Sequence, residues 1–183
     1  VSVIRTFDNT VVETIFDVGD IPLAIAITPD GKYVYVTNVG SDDVSVIRTS
    51  DNTLILLVLV GDHPLAIAIT PDGKYVYVAN EDSNNVSVIR TSDNTVVKEI
   101  PVGGHPKEIV ITPDGKYVYV ANNKYDYAAS KWSNNVSVIR TSDNTVVKEI
   151  PVGDFSLGIA ITTDGNYVYV ANSQRNSISV IGK

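Results

Sequence analysis

The chain carries two histidines, His63 and His105, and each stands in a short loop of the same design, GDHP at Gly61–Pro64 and GGHP at Gly103–Pro106. Imidazole is a common metal ligand and the side chain best matched to proton transfer near neutral pH. Together with Asp62 the two histidines offer ligands to a metal, but two histidines without a third protein ligand in view make a weak site. Both are therefore expected to serve the loop structure, with no metal and no cofactor. Glu108, together with Lys107, replaces a Leu-Ala pair found in sister segments. A local Lys–Glu pair or a pairing with the backbone is expected there, because one glutamate is a thin basis for acid–base catalysis. Asp62, His63, His105 and Glu108 make the first candidate group.

Two further groups suit recognition better than reaction. The segment NNKYDYAASKWSNN, Asn122–Asn135, holds Lys124, Tyr125, Tyr127, Lys131 and the single tryptophan, Trp132. Aromatic and charged residues on a loop suit a binding surface. The alternative is a tolerated insertion whose aromatics pack on the neighbouring sheet. The run LILLVLV, Leu54–Val60, brings Leu54, Leu56, Leu57 and Leu59 to a place where sister segments read VVKEIPV. It lacks the Lys, Glu and Pro that keep an edge strand soluble, so a partner contact or self-association is expected there.

Composition narrows the rest. The 183 residues contain no cysteine, which excludes thiolate metal sites, disulfides and cysteine nucleophiles. Fourteen basic against twenty-one acidic side chains give a net charge of −7, which argues against nucleic acid. No apolar run reaches the length of a membrane-spanning helix.

These residues must be positioned by a repeat. VSVIRT begins at Val1, Val44, Val86 and Val136, and a worn copy, ISVIGK, begins at Ile178. Asn84–Gly103 and Asn134–Gly153 are identical. A spacing near 42 residues is that of a four-stranded propeller blade. In each unit an inner strand such as AIAIT is followed by a TPDG turn, where Pro presets one angle and Gly takes the left-handed position. A YVYVAN strand, a VSVIRT strand and a TVVKEIPV strand follow, the last marked as the rim by its proline. We call these A to D, from the centre outward. The fold expected is all-β, a propeller of four-stranded antiparallel blades, with repeats at 1–43, 44–85, 86–135 and 136–177 and a terminal strand at 178–183. On this plan the D–A loops with their histidines, and the B–C loops with the insertion, ring one mouth of a channel. Arg5, Arg48, Arg90 and Arg140 are expected to pair with turn aspartates such as Asp72 or Asp114.

The tetrapeptide Tyr35-Val36-Thr37-Asn38 and its YVAN copies at Tyr77–Asn80, Tyr119–Asn122 and Tyr169–Asn172 resemble the YVTN-family β-propeller repeat along nearly the whole chain. The resemblance implies a propeller of the archaeal surface-layer type, at a cell surface or outside the cell. Together with the uniformity of the blades, it gives the leading expectation, a non-catalytic structural or protein-interaction module that is not an enzyme. A lactonase-like propeller enzyme or metal-binding hydrolase is the alternative, and a recently amplified or engineered scaffold is another. Seventeen strands make four blades and one strand over, so a two-chain, eight-bladed ring is the favoured assembly. A four-bladed ring and an arc of something larger are the other arrangements.

Overall fold

The computed structural model describes residues 1–126 and 131–182, with the backbone alone for 124–126 and 131–133. All seventeen strands follow the expected order. β1 (Ser2–Arg5) and β2 (Thr10–Thr14) pair as a C–D hairpin. Three complete sheets follow: β3 (Pro22–Ile27), β4 (Tyr33–Asn38), β5 (Asp43–Arg48) and β6 (Thr53–Leu59); β7 (Pro64–Ile69), β8 (Tyr75–Asn80), β9 (Asn85–Arg90) and β10 (Thr95–Pro101); β11 (Pro106–Ile111), β12 (Tyr117–Asp126), β13 (Lys131–Arg140) and β14 (Thr145–Pro151). A three-stranded sheet of β15 (Ser156–Ile161), β16 (Tyr167–Asn172) and β17 (Ser177–Gly182) completes the series. The only helical turn among the described residues is Ser173–Arg175.

Every sheet is an antiparallel meander, and the A strands β3, β7, β11 and β15 lie side by side along the inner edge. The core is therefore a series of layers between blades. One layer joins Tyr35, Val44 and Val46 to Val76, Val78 and Ile89. The next joins Tyr77, Val86 and Val88 to Ile109, Val118 and Ile139. A third joins Ala121 and Val136 to Ile159 and Val170. Burial of this kind is the main stabilising term, at roughly 25 cal/mol per Å² of apolar surface.

The YVTN signature has a physical basis here. The asparagine that ends each B strand is buried, and its Nδ2 donates to the C strand of its own blade: Asn38 to Asp43 and Ser45, Asn80 to Asn85 and Ser87, Asn122 to Asn135 and Ser137. The tyrosine at the head of the motif ties its blade to the next. Tyr35 donates its hydroxyl to Asn94 Oδ1 at 2.6 Å, and Tyr77 donates to Asn144 Oδ1 at the same distance. Burial pushes the Tyr35 hydroxyl pKa up to about 12.

The arginines behave differently from expectation. Each pairs with the aspartate of its own C–D turn, Arg5 with Asp8, Arg48 with Asp51, Arg90 with Asp93 and Arg140 with Asp143, at 2.5–2.7 Å. Asp72 and Asp114 are held instead inside the TPDG turns by Thr70 and Thr112. A partner three residues away along a tight turn is reached with little ordering, which decides the pairing.

The apolar rim strand is split by its own alternation. Leu54 and Leu56 turn inward and join the inter-blade clusters, whereas Leu57 and Leu59 are 44% and 75% exposed. The series of blades forms an open arc. Leu23, Ile25 and Ile27 of β3 lie exposed at one end, and Ile178 and Val180 of β17 at the other.

Candidate functional site at the inner corner of two blades

One face of the arc is built from a repeated corner where a D–A loop meets a B–C loop. The loop glycine cannot carry a side chain: a Cβ on Gly61 would lie 2.7 Å from Asn80 Nδ2, and one on Gly103 2.6 Å from Asn122 Nδ2. Two residues on, the backbone is left-handed, with φ of 53° at Ile21, 57° at His63, 50° at His105 and 61° at Phe155. Histidine tolerates this region better than most residues, and isoleucine poorly. The carbonyl of this residue accepts the N–H that opens the B–C loop, Val39 to Ile21, Glu81 to His63, Asn123 to His105 and Ser173 to Phe155, at 2.9–3.1 Å. The N–H of His63 donates to Asp42 Oδ1, and that of His105 to Asn84 Oδ1, each at 2.8 Å. The strain is thus held by hydrogen bonds on both sides of the residue, and each side chain leaves the corner in a set direction.

Four of these corners share one backbone, and one of them carries chemistry. Glu81 and Asp82 occupy the B–C loop between the two histidines. His63 Nδ1 lies 3.2 Å from Asp82 Oδ2 and 3.9 Å from Glu81 Oε2. His105 Nδ1 lies 3.7 Å from Glu81 Oε1 and 4.0 Å from Asp82 Oδ1. Lys107, on β11, closes the group with its ammonium on Glu81 Oε1. Glu81 is only 15% exposed, so it is the buried centre around which the open imidazoles and the half-buried ammonium gather. A carboxylate orients an imidazole, a second carboxylate holds a cation, and the group opens to solvent. That arrangement can transfer a proton and stabilise negative charge.

The expected site residues fall into place unequally. His63 and His105 come together through Glu81. Asp62 lies exposed in the same loop, where its N–H donates to Ser83 Oγ, and the carboxylates facing the histidines are Glu81 and Asp82. Lys107 does form an ion pair, with Glu81 of the preceding blade rather than with Glu108. Glu108 is half-buried, its Oε1 accepts the Ile109 N–H, and burial pushes its carboxyl above the ordinary glutamate value. Glu81 and Asp82 carried a signal in the sequence: they replace Val39-Gly40 of the unit before and differ from Asn123 of the unit after.

The insertion lengthens the hairpin. β12 and β13 stay paired to Asp126↔Lys131, with Tyr125 opposite Trp132 and Lys124 opposite Ser133. Its base is fastened to the His105 corner by the Asn123 N–H, so it rises beside the charged group. Tyr127 lies outside the described residues, as do the side chains of Lys124, Tyr125, Lys131 and Trp132. On the opposite face, clefts lined by Thr70, Pro71, Asp72, Tyr75 and Asp114 recur between successive TPDG turns. They repeat with the blades, Pro71 packing on Gly115 as Pro29 does on Gly73, and are grooves of the architecture.

The sequence profile of the family described as "Lactonase, 7-bladed beta-propeller" matches residues 10–97 and again 95–182. No curated protein matches the chain significantly. Among solved structures, a candidate 6-phosphogluconolactonase from Bacteroides uniformis superposes with a TM-score of 0.79 at 20% identity, over 98% of this chain and 59% of its own. A second, from Bacteroides fragilis, gives 0.75 at 22% identity, over 88% of this chain and 50% of its own. Hydrazine synthase of Kuenenia stuttgartiensis gives 0.59 at 24% identity, over 86% of this chain and 58% of its own. The chain thus spans between half and three-fifths of the length of these structures. The profile match overturns the expectation of a non-catalytic surface module that is not an enzyme. That expectation rested on the sameness of the blades, and the blades differ at the Glu81 corner.

Proposed function

The chain belongs to the lactonase family of seven-bladed β-propellers, and from that premise we propose that it takes part in lactone hydrolysis, with the corner of His63, Glu81, Asp82, His105 and Lys107 as the reacting site. The observation that carries the reading is the family match along residues 10–182, joined to a single charged corner that departs from its sister repeats. Within the family, the YVTN and YVAN tetrapeptides point to the YVTN type of repeat.

In this reading Asp82 engages His63 Nδ1, which leaves Nε2 to take a proton from water. The water oxygen attacks the lactone carbonyl carbon, and the bond to the ring oxygen then breaks. The proton returns to that oxygen, and the product is an open hydroxy acid. Lys107, steadied by Glu81, supplies positive charge toward the oxyanion that forms on the carbonyl. The hairpin of β12 and β13 walls one side. The two structures from Bacteroides suggest sugar lactones, with or without a phosphate, as the first substrates to try.

The test is acid release, followed by pH-stat, from a panel of γ- and δ-sugar lactones, with the spontaneous rate subtracted. Turnover is expected to fall about 100-fold or more in His63→Gln, the usual contribution of a general base. Lys107→Met is expected to lower kcat in the same range, the usual effect of removing an oxyanion donor. No turnover of any lactone, or full activity in both variants, overturns the proposal.

A further inference from the structure

We propose that the same corner is a binding site for one divalent transition-metal ion, zinc by its chemistry, and that Lys107 is the cation the metal displaces. The proposal stands on the geometry of the cluster and not on the lactonase reading.

His63, Glu81 and Asp82 each offer a ligand atom, and the three lie within 4.8 Å of one another, the one such group among the described residues. Tetrahedral zinc, with bonds of 2.0–2.2 Å to nitrogen and oxygen, needs donor atoms about 3.3–3.5 Å apart. His63 Nδ1 and Asp82 Oδ2 are 3.2 Å apart, and His63 Nδ1 and Glu81 Oε2 3.9 Å. His105 faces the second oxygen of each carboxylate at 3.7 and 4.0 Å and stands outside this three-residue group, so the fourth position is open to a water. Small side-chain rotations bring the His63, Glu81 and Asp82 donors to zinc spacing. The frame does not have to move, because both histidines project from left-handed corners fixed by the Asp42 and Asn84 side chains.

Charge points the same way. Two carboxylates bring two negative charges to the pocket, which one ammonium half neutralises and one divalent ion neutralises fully. Lys107 holds Glu81 in the absence of metal and is long enough to swing aside. A bound ion takes the Nδ1 atom through which Asp82 orients His63.

The experiment is calorimetric titration of the whole chain with zinc chloride in a non-chelating buffer. One ion per chain is expected in the wild type, with tighter binding in Lys107→Met. Asp82→Asn is expected to weaken binding by about tenfold or more, and His63→Ala with His105→Ala to abolish it. Because Asp82 is exposed, its variant keeps the test sound if the double variant folds poorly. No binding in either the wild type or Lys107→Met overturns the proposal. So does binding that survives unchanged in both the Asp82 and the histidine variants, which places the ion elsewhere. The titration contains no lactone, so zinc binding without turnover sinks only the hydrolysis reading, and turnover without zinc binding sinks only this one.

Discussion

Single residues set the shape of the corner before any functional group is added. Gly61 approaches the Asn80 side chain so closely that a Cβ would meet three of its atoms within 2.9 Å. Asn80 cannot yield, because its Nδ2 bridges Asn85 and Ser87. Gly61→Ala is therefore expected to destabilise the chain by about 1–3 kcal/mol, the usual result of forcing extra volume into a packed site. Thermal unfolding of the purified variant checks this, and an unchanged midpoint would mean that the loop relaxes freely. The chemistry was harder to read at this scale. The two histidines were visible as rare residues in matching loops, but their carboxylate partners are eighteen or more residues away from His63 in sequence. Only the B–C to D–A hydrogen bonds, Glu81 N–H to the His63 carbonyl among them, bring the two loops together. Asp62, the nearest acid in sequence, is directed to solvent by the same corner.

At the scale of elements, the C–D hairpins repeat one electrostatic device four times. The Arg side chain holds the turn aspartate three residues on, and Asp8, Asp51, Asp93 and Asp143 are each lowered to about 2, first by that hydrogen bond. A carboxylate whose folded value is depressed stabilises the fold above its unfolded value, here 3.8, and that contribution is lost as pH falls toward the folded value. Melting temperature is thus expected to hold from neutrality to about pH 4 and to decline between pH 4 and 2. A chain with all four aspartates changed to asparagine should show a shallower decline over that window. The pairs are exposed and screened by salt, so the decline should also soften in high salt. Strand order, turn type and the rim position of D were legible because each rests on local pattern: period-two alternation, Pro-Asp-Gly, and a proline at an edge. The partner of each arginine is not legible in the same way, because two kinds of turn both offer aspartate, and proximity along the chain, not likeness between repeats, chooses between them. The inward turn of Leu54 and Leu56 follows from the same alternation, which an unbroken apolar run conceals.

For the whole molecule, the layers between blades explain why the arc holds together and where it stays open. Each interior sheet is covered on both faces. The first A strand and the last C strand are covered on one, leaving Ile25 56% and Ile178 66% exposed. Apolar faces of this kind favour association. The chain is expected to sediment with a mass that rises with concentration, and Ile25→Lys with Ile178→Lys should hold it at the mass of one chain. A single mass at all concentrations for the unmodified chain would show that the end faces are tolerated in water.

The identity of Asn84–Gly103 with Asn134–Gly153 has a consequence in time. β8 and β12 both present YVYVAN to the strand that follows, so the hairpin of β9 and β10 and that of β13 and β14 fit either one equally well. Lengthening the intervening loop adds little to the entropy of the wrong match, since that cost grows only as the logarithm of loop length. A chain released all at once from denaturant therefore meets two interchangeable suitors for each docking place. A chain emerging from the ribosome does not: β9 is made, and seated on β8, before its rival exists.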